Sequence, residues 1–201
     1  MTFLHGSCRE ITDAFCVGDD NYGGGYLLAG HLIRSGHKKI AGIFKSDDAQ
    51  GPDRYHGVVC AMRDAGLFPL DENFLWFSSF QRHQLVELQD EELLRAFLRQ
   101  QLGGCTAVVC YNDEIAFHLI RTLLRAGKRV PDDISIIGYD GLKIGSFYTP
   151  KLSTVCQSVE LLARRSFMVL MDCTEHGGPA RHLTVPFTLS NRESVRKLES
   201  D

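Results

Sequence analysis

Two short runs, "TAVVCY" (106–111) and "ISIIGYD" (134–140), are apolar almost from end to end. A strand with one wet face alternates apolar and polar residues. A strand this uniformly apolar needs cover on both faces, as in a parallel sheet with helices on each side. Between the two runs, "EIAFHLIRTLLRAG" (114–127) has helical apolar spacing and stops at Gly127. The unit recurs along the chain. Extended runs are read at 14–19, 39–44, 74–78, 151–157 and 182–190, and helices at 24–36, 52–66, 84–104 (one long helix with a possible interruption) and 159–173. Strand and helix alternating about every thirty residues predicts parallel strands joined by helical crossovers, an open, doubly wound α/β sheet.

Bulk properties restrict the function classes. At 201 residues the chain suits one large domain, or one domain and part of another. A net charge of -3 gives no field that would draw in nucleic acid. Its seven cysteines are odd in number and scattered, which reads as small buried hydrophobes in a reducing compartment. Neither a zinc-ligand spacing nor any other metal motif occurs. The opening "MTFLHGSCREITD" lacks the basic start and apolar core of a secretion signal, and no run is long enough for a membrane helix. The expected location is the cytoplasm, with no cofactor.

Open α/β sheets bind ligands beyond the carboxyl ends of their strands. Polar residues collect there: "KSDDAQGPDR" after "IAGIF", "SFQRH" after "FLWFS", "ND" after "TAVVCY", "DG" after "ISIIGY", and the glutamine that closes "KLSTVCQ". The candidate binding residues are Asp48, Gln50, Arg54, Phe80, Asn112, Asp140 and Gln157. Carboxylate, amide and guanidinium groups match the paired hydroxyls of a sugar, and a sugar ring's C–H face can lie on Phe80. A phosphate site would need a glycine-rich loop of defined spacing, and "DNYGGGYLLAG" lacks that spacing; Gly23 to Gly25 fit close helix packing or a turn. Catalysis has weaker support. Ser46, Ser78 or Cys156 could serve as nucleophile with His83 or His118 as base, but no nucleophile elbow is found.

Each residue also has a structural reading. Asp113 stands where a helix N-cap belongs, leaving Asn112 to face the crevice. Arg54 lies in a first helical turn, where the dipole disfavours a cation; Asp47 or Asp48 could pair with it. Asp140 reads equally well as a turn former with Gly141 or as a ligand group, and Gln157 as an exposed or capping residue or a ligand group. The charges in "QDEELLRAFLRQQ" read as a solvated helix face.

Three stretches carry a family resemblance: "HLIRSGHKKIAGIFKSDDAQGPDRYHGVVCAMRDAGL", "AVVCYNDEIAFHLIRTLLRAGKRVPDDISIIGYDG" and "YTPKLSTVCQS". Together they resemble the effector domains of the lactose- and galactose-repressor family. "GIFKSDDAQG" and "CYNDEIA" most resemble the arabinose repressors of Gram-positive bacteria, in which such a domain follows a winged-helix DNA-binding domain of the gluconate-repressor class. The resemblance implies a two-lobed, type I periplasmic-binding-protein-like fold that senses L-arabinose or a related sugar, as a homodimer without membrane contact. Family ligand contacts carry over to Arg54, Asn112, Asp140 and Gln157; Phe80 matches more loosely, and Asp48 and Gln50 lie in a variable ligand loop. It further implies that 1–19 is a remnant of the first lobe, 20–154 the second lobe, 155–178 a first-lobe helix, and 179–201 a return strand and tail. One lobe is then complete and the other partial, and DNA contact belongs to a domain outside this chain. The helix "VELLARRSFMVLMDC" is apolar around much of its circumference, so self-association is expected. The alternatives are a transporter's sugar-binding component and a small doubly wound enzyme.

Overall fold

The apolar runs become the strands of a six-stranded sheet in the order β4-β3-β5-β6-β7-β9. Its elements in the computed structural model, which describes residues 2–4, 15–176 and 182–198, are β3 (Ile40–Lys45), β4 (Phe74–Phe77), β5 (Ala107–Cys110), β6 (Ser135–Tyr139), β7 (Ser153–Gln157) and β9 (Phe187–Ser190). Strands β3 to β7 pair in parallel. Helices α1 (Asn21–Arg34), α2 (Gln50–Asp64), α3 (Ser79–Val86), α4 (Glu92–Gln100) and α5 (Asp113–Arg125) supply the crossovers. The chain divides into two compact units. One is Asn21–Cys156 with Leu189–Asp201; the other is Met1–Asp20 with Gln157–Thr188.

Both faces of the larger unit's sheet are covered, as the uniform apolar runs predict. Every residue of β5 and β6 is buried. Val108, Cys110 and Ile136 join a core with Leu85, Leu94, Phe97, Ile115 and Leu119 from α3, α4 and α5. With a side-chain period of two, Val109, Ile137 and Tyr139 face the opposite side. There α1 and α2 lie very close together. A Cβ on Gly25 would collide with the carbonyl of Arg54, and one on Gly57 with the carbonyl of Tyr22. Gly25 of "YGGGY" therefore serves helix packing.

The long helix expected over 84–104 is two helices. Between them Gln89 turns left-handed (φ 56°), and Glu91 is only 3 % exposed. The reading of this segment as a solvated face fails at that residue. Glu91 lies 2.8 Å from Arg121, 2.6 Å from Arg125 and 3.5 Å from Arg95. Burial alone would raise its pKa, but Arg125 and Arg121 hold it below the usual carboxylate range. The ion cluster ties the start of α4 to α5.

The last strand expected at 182–190 is also two. Pro186 has no N–H to donate and a fixed φ, so it ends one strand and lets the chain change sheets. β8 (His182–Val185) belongs to the smaller unit, a parallel three-stranded sheet β1-β2-β8 with β1 (Thr2–Leu4) and β2 (Phe15–Asp19). α6 (Val159–His176) covers it through Val169, Leu161 and Leu162, which pack with Val185 and Leu183. The other side of α6 exposes Val159, Phe167, Met168, Leu170 and Met171.

Two expectations follow. Glu91→Ala should cost about 1–3 kcal/mol in urea unfolding, below the loss for a fully buried pair because the three arginines reach solvent. The apolar side of α6 should drive concentration-dependent association in light scattering, weakened by Phe167→Glu with Met171→Glu; a monodisperse wild-type monomer would rule it out.

Candidate functional site

Strand β3 has β4 on one side and β5 on the other, so the winding direction reverses between β3 and β5. Open α/β sheets hold ligands beyond the carboxyl ends of their strands at such a point. Ser46 to Ala49 lead from the end of β3 to Gln50 at the start of α2, Tyr111 and Asn112 follow β5, and Asp140 follows β6.

Arg54 is the centre of this region. It sits one turn into α2 and is 2 % exposed. Its Nε donates to Asn21 Oδ1 at 2.9 Å, Nη1 to the Tyr111 carbonyl at 2.6 Å, and Nη2 to Gln50 Oε1 at 3.3 Å. Nη2 also lies 3.7 Å from Asp140 Oδ1. The guanidinium rests 3.6 Å from the centre of the Tyr139 ring and 4.7 Å from that of Tyr111. Asp47 and Asp48 pair with Lys45 instead, at 3.5 and 3.3 Å. The arginine's awkward place in a first turn is thus balanced by Asp140 and two aromatic faces.

The loop after β3 is fastened to the same cluster. Asp48 Oδ1 accepts from the Gly51 amide at 2.8 Å, and Oδ2 from the Tyr111 hydroxyl at 2.6 Å. Both oxygens of Asp48 are therefore held within the protein. The Tyr111 hydroxyl also lies 3.2 Å from Gln50 Oε1. Its pKa is pushed up by burial and by the bond to Asp48.

The capping role expected of Asp113 falls to Asn112, and Asp113 is structural in another way. Asn112 is the N-cap of α5, its Oδ1 accepting from the Ile115 amide at 3.0 Å. Asp113 is the first helical residue and wholly buried. Its Oδ1 accepts from Thr154 Oγ1 at 2.7 Å and its Oδ2 from the Leu142 amide at 2.7 Å. Both residue types cap well, so the sequence could not set the boundary. The cap uses only the oxygen of Asn112; its Nδ2 is a donor that the cap leaves unused.

Arg54, Gln50, Asp48 and Asp140 thus meet around Tyr111, with Asn112 next along the chain. Phe80 lies near the start of α3 and is 69 % exposed. The backbone of Gln157 ends β7, but its side chain lies outside the described residues. Sequence reasoning missed Asn21, Tyr111, Tyr139 and Thr154. The one available signal was position, since Tyr111 and Tyr139 each end or follow a buried strand. Among the described residues no group of three or more His, Cys, Asp or Glu could hold a metal ion, and no helix is long and apolar enough to cross a membrane.

An open parallel sheet with a buried cation and planar polar groups at its switch point is the arrangement of α/β lobes whose ligands lie at the strand ends. Residues 29–195 match the family model described as a periplasmic binding protein-like domain, and the chain belongs to that family. It is 40% identical over 141 residues to the arabinose metabolism transcriptional repressor of Geobacillus stearothermophilus, covering 70% of this chain and 38% of that protein. It is 31% identical over 196 residues to the HTH-type transcriptional repressor PurR of Mannheimia succiniciproducens, covering 92% and 54%. The chain therefore spans roughly 38% to 54% of the length of these relatives. A solved LacI family regulator from Enterococcus faecium with bound ribose superposes with a TM-score of 0.80 at 26% identity, covering 98% of this chain and 71% of that one.

The buried Asp113 gives a pH prediction. Burial raises its pKa to about 7, against the lowering effect of its bonds from Thr154 and Leu142. A carboxyl with a folded-state pKa above its unfolded value holds more protons when folded. Its stabilising contribution is present below the unfolded value, near 4, and is lost as pH rises through about 7. Urea unfolding at pH 5 and pH 8 should show the wild type losing stability relative to Asp113→Asn; parallel behaviour would refute the shift.

Proposed function

We propose that this chain is part of the effector-binding domain of a transcriptional repressor, and that the crevice at the switch point takes a small sugar. The observation that carries this reading is the Arg54–Asp140 pair. A buried guanidinium, clamped on two aromatic rings, holds a partly exposed carboxylate at the mouth of the crevice. Asp140 then accepts from two sugar hydroxyls, Asn112 Nδ2 donates to a third, and the exposed Phe80 ring offers a face to the sugar's C–H groups. Gln50 adds to the polar lining. Asp48 supports the loop.

L-Arabinose is the effector that fits the relatedness best, because the Geobacillus stearothermophilus relative is named for arabinose metabolism. The match to a ribose-bound regulator supports a pentose more generally. Residues 21–156 form the second lobe in this reading, and the smaller unit is part of the first. The parent protein acts in the cytoplasm as a homodimer and contacts DNA through a further domain. Sugar can relieve repression only by binding one lobe arrangement more tightly than the other. Binding, not catalysis, is the activity proposed.

Calorimetry with L-arabinose, D-ribose and D-xylose tests this. At least one pentose should give saturable heat. Asp140→Ala should weaken it by about ten-fold to a hundred-fold, as expected for loss of charge-assisted hydrogen bonds. Equal affinity in both proteins, or no heat with any of the sugars, would overturn the reading.

A further inference from the structure

Asp140 has a backbone φ of 101°, and Gly141 follows at 71°. Glycine accepts that conformation freely; an aspartate does so only where its surroundings impose it. The constraint traces to one buried side chain, Asp113. Its Oδ2 takes the Leu142 amide directly, and its Oδ1 takes the Thr154 hydroxyl. Thr154 Oγ1 in turn accepts from the Gly141 amide at 3.2 Å. The Asp140 amide donates to the Val155 carbonyl at 3.0 Å. Three successive amides of the turn are thus held from β7 and from the first residue of α5. Gly138 makes room for this arrangement, since a Cβ there would collide with Asp113 Oδ1.

We propose that Asp113 is a positioning residue of the ligand site: through Leu142 and Thr154 it fixes the turn that aims the Asp140 carboxylate at Arg54 and into the crevice. Asp113 itself touches no ligand. Its surroundings suit that role. Asp140 repels its charge, while Arg192 from the C-terminal segment attracts it. It has no open path to the crevice, being fully buried. The Thr154 hydroxyl also lies 3.2 Å from the Val155 carbonyl, so it can turn to donate there and accept from a protonated Asp113. The turn then stays anchored in either protonation state.

The affinity part of this proposal rests on the sugar reading; the geometric part does not. The test uses the 201-residue chain and four variants: Asp113→Ala, Thr154→Val, Thr154→Ser and Asp140→Ala. Amide exchange by NMR at Gly141 and Leu142, with the Arg54 Nε–H signal, reads the turn without any ligand. Asp113→Ala and Thr154→Val should lose protection at both amides and shift the Arg54 signal, and Thr154→Ser should restore both. Pentose affinity, measured with the same three sugars, should fall about ten-fold in Asp113→Ala and in Thr154→Val and recover in Thr154→Ser. Combining Asp113→Ala with Asp140→Ala should add almost nothing to the loss caused by Asp140→Ala alone, whereas a merely structural role would add to it. Unchanged amides, or native affinity in a variant whose turn has loosened, would overturn the proposal. If Asp113→Ala does not fold, the Thr154 pair carries the same test. If the wild type binds none of the sugars, the sugar reading fails, and the exchange measurements alone decide whether Asp113 sets the turn.

Discussion

A guanidinium cannot shed its proton, so once buried it must be satisfied by its surroundings. That requirement at Arg54 organises the larger unit. Its partners come from the start of α1, the first turn of α2, the end of β5 and the turn after β6. Four separate pieces of chain must meet at one side chain, so the arginine fixes how the helix pair sits over the switch point. The glycines of α1 are a consequence. Gly25 lets α1 approach the backbone carbonyl of Arg54, and Gly24 lies where any side chain would strike the Tyr139 ring on which Arg54 rests.

The two carboxylates near the end of β6 divide the work by depth. Asp113 is buried among hydrogen-bond donors and faces backbone and hydroxyl groups only. Asp140 is 39% exposed and balanced by a cation on one side. Burial raises the pKa of Asp113 to about 7, a value that suits a supporting acid able to work in either protonation state. The adjacent Asn112 is suited to its place for a different reason. An aspartate would cap α5 equally well, but an amide, unlike a carboxylate, keeps a donor after its oxygen has capped the helix.

Much of this was legible in the chain because burial leaves a strong mark. "AVVC" and "SIIGY" could only be strands covered on both faces, and charged residues just beyond such runs could only lie at sheet ends. Arg54 and Asp140 were readable on those grounds. What stayed hidden depended on distant partners. Glu91 looked like one more charge on a wet helix, since its arginines on α5 lie 30 and 34 residues away. Only the fold lays Tyr111 and Tyr139 along a guanidinium. The move of the helix cap from Asp113 to Asn112 turned on a single position, finer than any helix boundary can be read from pattern.

In the proposed site a ligand would gain from Arg54 indirectly. With Nε and both terminal nitrogens already bonded within the lobe, the arginine has little left to offer a sugar directly. Its effect passes through Asp140. A carboxylate held by a cation on one side and by a fixed turn beneath it loses little conformational freedom when hydroxyls bind, so less of the binding energy is consumed in ordering the site. Folding of the lobe meets that cost in advance, through a strained φ at Asp140 and a buried acid at Asp113. A site built this way trades lobe stability for readiness to bind, and the trade is made at the turn where β6 meets the crevice.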